Sequence, residues 1–368
     1  MSIETTLGAL AAALNEEGPA VEILHDDGPA GHRVVVPQDA PDGTAAVVRT
    51  SGSTGTPKRT ALPVEALAAS AMATALELGK EGQWLLALPL HYVAGLSVLS
   101  RSLYAGTRPW AMDLSRPFTA EAFTEAAAEL TDRVRLTSLV PTQLQRLLTA
   151  PTAESLSALR RFDAILLGGG RAPDDLVARA RSHGLRVSLT YGMSETCGGC
   201  VYDGRPLPGV SARDEGGRLW LGGDVVASGY LGDPALTAER FHTDAEGTRW
   251  FRTDDLGGVS GGLVSVRGRA DDVVITGGVK VSAGAVQRCV EAVPGVESAL
   301  VLGVPDAEWG AVVAAAIVGG AAEDAVAAAV RAELGPAAVP RRIARLGAMP
   351  LLPNGKPDRL AVAALLAR

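Results

Sequence analysis

Thr50-Ser51-Gly52-Ser53-Thr54-Gly55-Thr56-Pro57-Lys58 is the stretch whose reading decides the fold of this 368-residue chain. It follows the apolar run Ala46-Val47-Val48-Arg49, so backbone N–H groups, Ser/Thr hydroxyls and Lys58 can converge on phosphate oxygens at a strand end. It is not a Walker A sequence, in which the lysine follows a glycine and precedes a Ser/Thr; here Pro57 precedes Lys58 and Arg59 follows it. A solvated Gly/Ser turn has the same composition, so the loop alone supports only a phosphate-binding expectation.

Outward from the loop, between Ala45 and Ala270, short apolar runs such as Trp84-Leu85-Leu86-Ala87-Leu88 and Ala164-Ile165-Leu166-Leu167 alternate with alanine-rich helical stretches such as Val64 to Leu78. That alternation predicts an α/β sheet, with ligands beyond the carboxyl ends of its strands. Residues 1–40 read as a lead-in with one helix (Leu7 to Leu14), an apolar run Arg33-Val34-Val35-Val36 and no chemistry that can be named. After Arg269 the pattern changes to short strands (Asp272 to Thr276, Ala299 to Val304, Val312 to Val318) and a helix, Ala321 to Leu334. The expected architecture is a large N-terminal α/β domain of layered sheets and helices over 1–270 and a small α+β C-terminal domain over 271–368.

A net charge of -7, from 34 basic and 41 acidic residues, argues against nucleic acid or an anionic membrane surface as partner, since both require clustered basic excess. Small-molecule ligands are expected. Three cysteines cannot build a disulfide framework, and no secretory leader is legible, so a cytoplasmic location is expected. The longest nearly apolar stretch, Gly310 to Ala322, is shorter than the roughly 20 residues of a membrane span. Cys197-Gly198-Gly199-Cys200 has the spacing of a metal or redox pair, but no second pair or nearby histidine accompanies it, and packing is the expected role.

Further segments carry chemistry. Tyr191-Gly192-Met193-Ser194-Glu195-Thr196 follows the predicted strand Val187-Ser188-Leu189-Thr190, and Glu195 suits Mg²⁺, which keeps several waters and takes one or two protein carboxylates when bound to phosphates. Leu167-Gly168-Gly169-Gly170-Arg171-Ala172-Pro173 is a second strand end, where a flat base can lie against backbone. Trp250-Phe251-Arg252-Thr253-Asp254-Asp255-Leu256 offers carboxylates for paired hydroxyls, and Arg267-Gly268-Arg269-Ala270-Asp271-Asp272 puts charge at the expected domain boundary. Leu352-Pro353-Asn354-Gly355-Lys356-Pro357-Asp358-Arg359 sets a lysine on an Asn-Gly turn.

In this order, and over nearly the whole chain, these segments resemble the acyl-adenylate-forming superfamily of acyl-CoA synthetases, peptide-synthetase adenylation domains and luciferases. Leu88-Pro89-Leu90-His91-Tyr92-Val93-Ala94-Gly95-Leu96, Ser102-Leu103-Tyr104-Ala105-Gly106 and Ser138-Leu139-Val140-Pro141-Thr142-Gln143-Leu144 look like the o-succinylbenzoate–CoA ligases of menaquinone biosynthesis. The early phosphate loop resembles the shortened actinobacterial type. What replaces the missing N-terminal subdomain is open, a homodimer contact being one candidate.

The resemblance implies ATP, Mg²⁺ and coenzyme A as cofactors, an aryl carboxylate as substrate, and two half-reactions, adenylation and then thioester formation. It assigns Thr50, Ser51, Gly52, Ser53, Thr54, Gly55 and Lys58 to the phosphates, Gly168, Gly169, Gly170, Tyr191 and Gly192 to adenine, Thr196 to the α-phosphate, and Glu195 to Mg²⁺. Asp255 would hold the ribose hydroxyls with help from Arg269. Lys356 would bridge carboxylate and phosphate during adenylation. The small domain would be mobile about a hinge at Asp271, bringing Gly277, Gly278 and Lys280 to the pantetheine tunnel. His91 is by itself an ordinary packed histidine; the resemblance sets it against the acyl pocket, with Thr142, Gln143, Arg171 and Ser194 as further wall positions.

Overall fold

Apolar runs and helical stretches become four sheets among the described residues of the computed structural model, which are 2–26, 31–50, 57–352 and 355–367. Ser51, Gly52, Ser53, Thr54 and Gly55 of the phosphate loop lie outside the described residues, as do Pro353 and Asn354. The chain forms two compact units: a larger one of residues 1–213, 220–253 and 260–264, and a smaller one of 214–219, 254–259 and 265–368.

The chain opens with α1 (Ile3–Leu14), which buries Leu7, Leu10 and Leu14 and starts where Ser2 Oγ accepts from the Thr5 N–H at 3.3 Å. β1 (Val21–His25) and β2 (His32–Val35) pair antiparallel; β3 (Thr44–Thr50) lies parallel to β1 and antiparallel to β4 (Lys58–Pro63). Thr50 therefore faces Lys58, and Arg49 faces Arg59, at the two stems of the phosphate loop. β1 has no clear signal in the sequence because Glu22 and His25 interrupt its apolar residues.

α2 (Val64–Leu78) coincides with the predicted helix and stops at Gly79, whose left-handed φ of 63° is the usual glycine C-terminal cap. Strands and helices then alternate: β5 (Gln83–Leu86), α3 (Val93–Tyr104), β6 (Trp110–Ala111), α4 (Ala120–Ala128), β7 (Arg135–Leu139), α5 (Pro141–Leu148), α6 (Ala153–Arg160), β8 (Ala164–Leu167), α7 (Asp174–Ser182) and β9 (Val187–Met193). The strands form a parallel core in the order β9-β8-β7-β5-β6, and β10 (Gly198–Tyr202) and β11 (Arg205–Pro206) extend it antiparallel beside β9. β5 and β8 are buried at every position, as expected of parallel strands covered on both faces.

β12 (Val210–Glu215), β13 (Arg218–Gly223), β14 (Gly229–Tyr230), α8 (Pro234–Arg240), β15 (Phe241–Thr243), β16 (Arg249–Ser260) and β17 (Leu263–Arg269) follow. β14 returns to the first sheet and pairs with β4; the other strands make a third sheet, β12-β13-β16-β15, with β17 on β16.

The last sheet belongs to the smaller unit and takes β18 (Val273–Thr276), β19 (Val279–Ser282), β20 (Val296–Asp306), β21 (Gly310–Gly319) and β22 (Arg342–Leu346), in the order β19-β18-β21-β20 with β22 parallel to β21. Its helices are α9 (Ala283–Glu291), α10 (Glu323–Leu334) and α11 (Arg359–Leu366). Residues of β20 and β21 alternate between two cores, Val301, Val313 and Ile317 with Val286 and Val330, and Leu300, Leu302 and Ala314 with Val362. The apolar stretch Gly310 to Ala322 is thus largely a strand buried on both faces. Among the described residues no helix is long and apolar enough to cross a membrane.

The buried carboxylate of Glu22 binds β1 to both loop stems: it accepts from Arg49 Nε at 2.7 Å and Arg59 Nη2 at 3.0 Å, while Arg59 Nη1 reaches Asp39 at 2.6 Å. In Glu22→Gln the two guanidinium groups keep no buried counter-charge. Stability should fall by about 1–3 kcal/mol, a size typical for a broken charged hydrogen bond at a buried site, and thermal unfolding of the variant and wild type checks it.

Candidate active site

β9 continues through Tyr191, Gly192 and Met193, so these residues end the strand where the sequence predicts them to follow it; Ser194–Thr196 then close a 3-10 turn. The turn is tight. Thr196 Oγ1 accepts from the Met193 N–H at 3.0 Å and donates to the Gly198 carbonyl at 2.8 Å, and Cys197 takes a left-handed φ of 52°. A Cβ on Gly192 would lie 2.0 Å from the Gly198 carbonyl oxygen, so only glycine fits there. Ser194, Glu195 and Thr196 are all buried, with Glu195 8% exposed.

A buried carboxylate must be hydrogen-bonded. Glu195 Oε1 accepts from the Tyr230 hydroxyl at 2.7 Å, and its backbone carbonyl accepts from the Ala227 N–H at 2.9 Å. Oε2 has no protein partner among the described residues, which fits a magnesium ion that draws its remaining ligands from phosphates and water. No cluster of three or more His, Cys, Asp or Glu able to hold a metal occurs among the described residues, so a single carboxylate is the relevant arrangement. Lys58 Nζ stands 5.3 Å from the centroid of the Tyr230 ring. Such a cation–π contact is worth about 0.5–1 kcal/mol where exposed.

The three glycines after β8 have different reasons. A Cβ on Gly168 would meet Thr190 Oγ1 at 2.2 Å; Gly169 has φ +79°; Gly170 has open space where its side chain would be. Arg171 and Asp174 pair at 3.7 Å on an exposed surface at the start of α7. Thr142 lies in the first turn of α5, behind Pro141. Gln143, expected in a pocket wall, has a structural part at the same helix start. It is buried, its Oε1 accepts from the Val140 N–H at 3.0 Å and its Nε2 donates to the Ala87 carbonyl at 2.8 Å, so its amide closes the helix start against the end of β5.

His91 is half-buried between Tyr92 and His25, with ring centroids 4.2 and 5.2 Å away, and its Nδ1 is buried with no partner among the described residues. Burial, followed by the charges of His25 and His32, pushes its pKa down to about 4. His91 is therefore a neutral ring at physiological pH. Cys197 and Cys200 are fully buried, and burial raises both thiols, Cys200 to about 12, so neither is a ready thiolate.

Three residues of this unit carry no motif signal of their own. Tyr230 and His25 come from strands remote in sequence. Arg101 is 7% exposed on α3; its Nη2 reaches the Tyr202 hydroxyl at 3.4 Å, its guanidinium lies over Trp84, and its Nε has no partner among the described residues. It borders a cavity of about 170 Å³ with Thr74, Trp84 and Leu136. A single arginine inside the otherwise uncharged helix Val93–Tyr104 is the signal that could have found it.

In the smaller unit one guanidinium meets three carboxylates. Arg269 binds Asp271 through Nε and Nη2, both at 2.8 Å, and lies 3.7 Å from Asp255 and 3.8 Å from Asp254. The hydrogen bond that Arg269 donates to Asp271 leads the causes that raise the Arg269 pKa. Burial alone would raise the Asp271 carboxyl, but Arg269 outweighs it and holds the group below its ordinary value. Asp255 is buried, whereas Lys356 is exposed on the turn closed by Gly355 N–H to Leu352 carbonyl and Leu352 N–H to Lys356 carbonyl, both 2.8 Å. Desolvation by the protein around the ammonium, then the charge of Arg269, lowers the Lys356 pKa, an effect limited by the solvent that still reaches it. Gly277 needs its left-handed φ of 55° and would put a Cβ 2.5 Å from the Trp309 ring, whereas Gly278, at φ 80°, faces open space. Lys280 is exposed on β19.

A glycine-lined strand end beside one hydrogen-bonded carboxylate suits a nucleotide and its magnesium, and it makes the larger unit a nucleotide-binding one. The chain belongs to the AMP-binding enzyme family: that family's model matches residues 4–231, and the model of the AMP-binding enzyme C-terminal domain matches 286–356. It is 41% identical over 330 residues to a probable 2-succinylbenzoate–CoA ligase of Mycobacterium tuberculosis, covering 87% of this chain and 84% of that one. The 2-succinylbenzoate–CoA ligase of Escherichia coli is 33% identical over 71% of this chain and 55% of its own length. Among solved structures, the o-succinylbenzoate CoA synthetase of Bacillus subtilis in complex with its acyl-adenylate intermediate superposes with a TM-score of 0.71 at 27% identity, over 89% of this chain and 70% of that one.

Because His91 stays unprotonated when folded, whereas an unfolded histidine binds its proton near pH 6.5, the unfolded state holds more protons between about pH 6.5 and 4. Stability is therefore lost as pH falls through that window. His91→Gln should narrow the difference in thermal midpoint between pH 7 and pH 5, measured by scanning calorimetry; an unchanged difference would exclude the imidazole as its source.

Proposed function

We propose that this protein is an AMP-forming acid–thiol ligase that activates 2-succinylbenzoate as its acyl-adenylate and transfers the acyl group to coenzyme A. The observation that carries the reading is the buried Glu195 carboxylate, with one oxygen bonded to Tyr230, the other without a protein partner among the described residues, and Lys58 against the same tyrosine ring. The likeness to the mycobacterial ligase over most of both chains supports the substrate.

In this reading the substrate carboxylate attacks the α-phosphorus of ATP and pyrophosphate leaves; the coenzyme A thiol then attacks the acyl carbonyl and AMP leaves. Magnesium, held by Glu195, would supply charge neutralisation on the phosphates. The chain's own part is positioning and electrostatics, and one well-aimed donor can be worth about 3 kcal/mol in a transition state. Lys58 and Thr50, at the loop stems, and Thr196 would face the phosphates. Gly170, open on its side-chain face, and Tyr191 would receive the adenine; Asp255, with Arg269, would hold the ribose. Lys356 would bridge carboxylate and phosphate in the first half-reaction. Gly278 and Lys280 would approach the pantetheine arm in the second, with Asp271 as the hinge. The protein would work in the cytoplasm on free small molecules, and a homodimer contact remains part of the proposal.

A diacid substrate needs a cationic or hydrogen-bonding anchor for its second carboxylate, and Thr142, Gln143 and Arg171 would be the wall positions to offer one.

Pyrophosphate release with 2-succinylbenzoate and a panel of aryl monoacids tests the function. Turnover only on another acid would refute the substrate, and no turnover would refute the ligase. Lys356→Ala should slow adenylate formation by about a hundredfold, the size expected when a charge-stabilising donor is lost, and spare thioester formation from supplied acyl-adenylate. Equal losses in both half-reactions would contradict the exchange of roles.

A further inference from the structure

Tyr230 stands between the two charged groups that the proposed function directs at the phosphates. The residue is 6% exposed, and its ring packs edge-on against Phe241, with centroids 5.3 Å apart. Its hydroxyl donates to Glu195 Oε1 at 2.7 Å, and the Lys58 ammonium is 5.3 Å from the ring centre. The backbone around it is fixed as firmly. Tyr230 pairs with Thr60 across β14 and β4, two residues beyond Lys58, and its N–H donates to Thr237 Oγ1 at 2.9 Å. The Ala227 N–H meanwhile holds the Glu195 carbonyl at 2.9 Å. Residues 227–230 thus grip Glu195 through both backbone and side chain, while β14 pairs with the strand that presents Lys58.

We infer that Tyr230 is a positioning residue for the magnesium–nucleotide complex. Its hydroxyl fixes the Glu195 rotamer on one oxygen and leaves the second oxygen aimed for the cation, and its ring face sets where Lys58 rests. A rotating carboxylate would have to be ordered during binding; one already held is not. Partners that orient a metal-ligating group commonly change metal affinity or activity by 10- to 100-fold when removed. The inference rests on the assignment of Glu195 to magnesium, so the test separates the two.

Tyr230→Phe removes the hydroxyl and keeps the ring, its packing and the contact with Lys58. The Mg²⁺ concentration for half-maximal pyrophosphate release should rise about tenfold, with the KM for the aryl acid unchanged. Independently of turnover, the extra rise in thermal midpoint that ATP with Mg²⁺ produces over ATP with chelator should shrink. Glu195→Gln should abolish that extra rise. If Glu195→Gln abolishes it and Tyr230→Phe leaves both readouts at wild-type values, the positioning role is overturned and the metal assignment stands. If Glu195→Gln leaves the magnesium response intact, the metal assignment fails and the inference with it. A lower midpoint for Tyr230→Phe without ligand, combined with an unchanged magnesium response, would make the hydroxyl merely structural and also overturn the proposal. Tyr230→Leu, which removes the ring as well, should additionally raise the KM for ATP.

Discussion

Glu195 is a carboxylate with 8% of its surface exposed, and the larger unit is arranged around keeping it satisfied. The hydroxyl it needs comes from Tyr230, 35 residues away in sequence, and Tyr230 reaches it because β14 pairs with β4. That pairing also brings Lys58 to the tyrosine ring. The stem of the phosphate loop and the end of β9 are therefore held at one short strand. The turn carrying Glu195 can form only because Gly192 has no side chain to strike the Gly198 carbonyl and because Cys197 tolerates a left-handed backbone.

The glycines of the motifs divide on similar grounds. Gly168, Gly192 and Gly277 are demanded by neighbouring protein atoms, Thr190, Gly198 and Trp309 respectively. Gly170 and Gly278 face open space, and these are the positions where close approach of a ligand is a sufficient reason for glycine. Substitution at the first group disturbs the fold before it disturbs any ligand, so effects there say little about binding.

The smaller unit shows how a shared cation organises acids. Arg269 is bidentate to Asp271 and within 4 Å of Asp254 and Asp255, and its guanidinium lets three carboxylates sit close together without mutual repulsion dominating. Arg359 pairs through Nη2 alone with Asp272, where burial raises the carboxyl and the arginine opposes it. Lys356 has solvent access on a turn held by two backbone hydrogen bonds.

The order of elements, the α/β alternation and the helix α2 were legible because they rest on local periodicity and on cap residues such as Gly79. The residue types and spacing that single out Lys58, Glu195, Asp255 and Lys356 as candidates are local too. Tertiary structure alone decided that Glu22 joins both loop stems, that His25 faces His91, that Arg101 is a buried cation stacked on Trp84, and that the Tyr230 hydroxyl meets Glu195. It also decided that Gln143 closes a helix start and that β9 runs on through Tyr191 to Met193. These facts depend on side chains that meet across sheets after long excursions of chain. Hydrogen bonds and charge pairs of that kind leave no period or spacing in the sequence by which to read them.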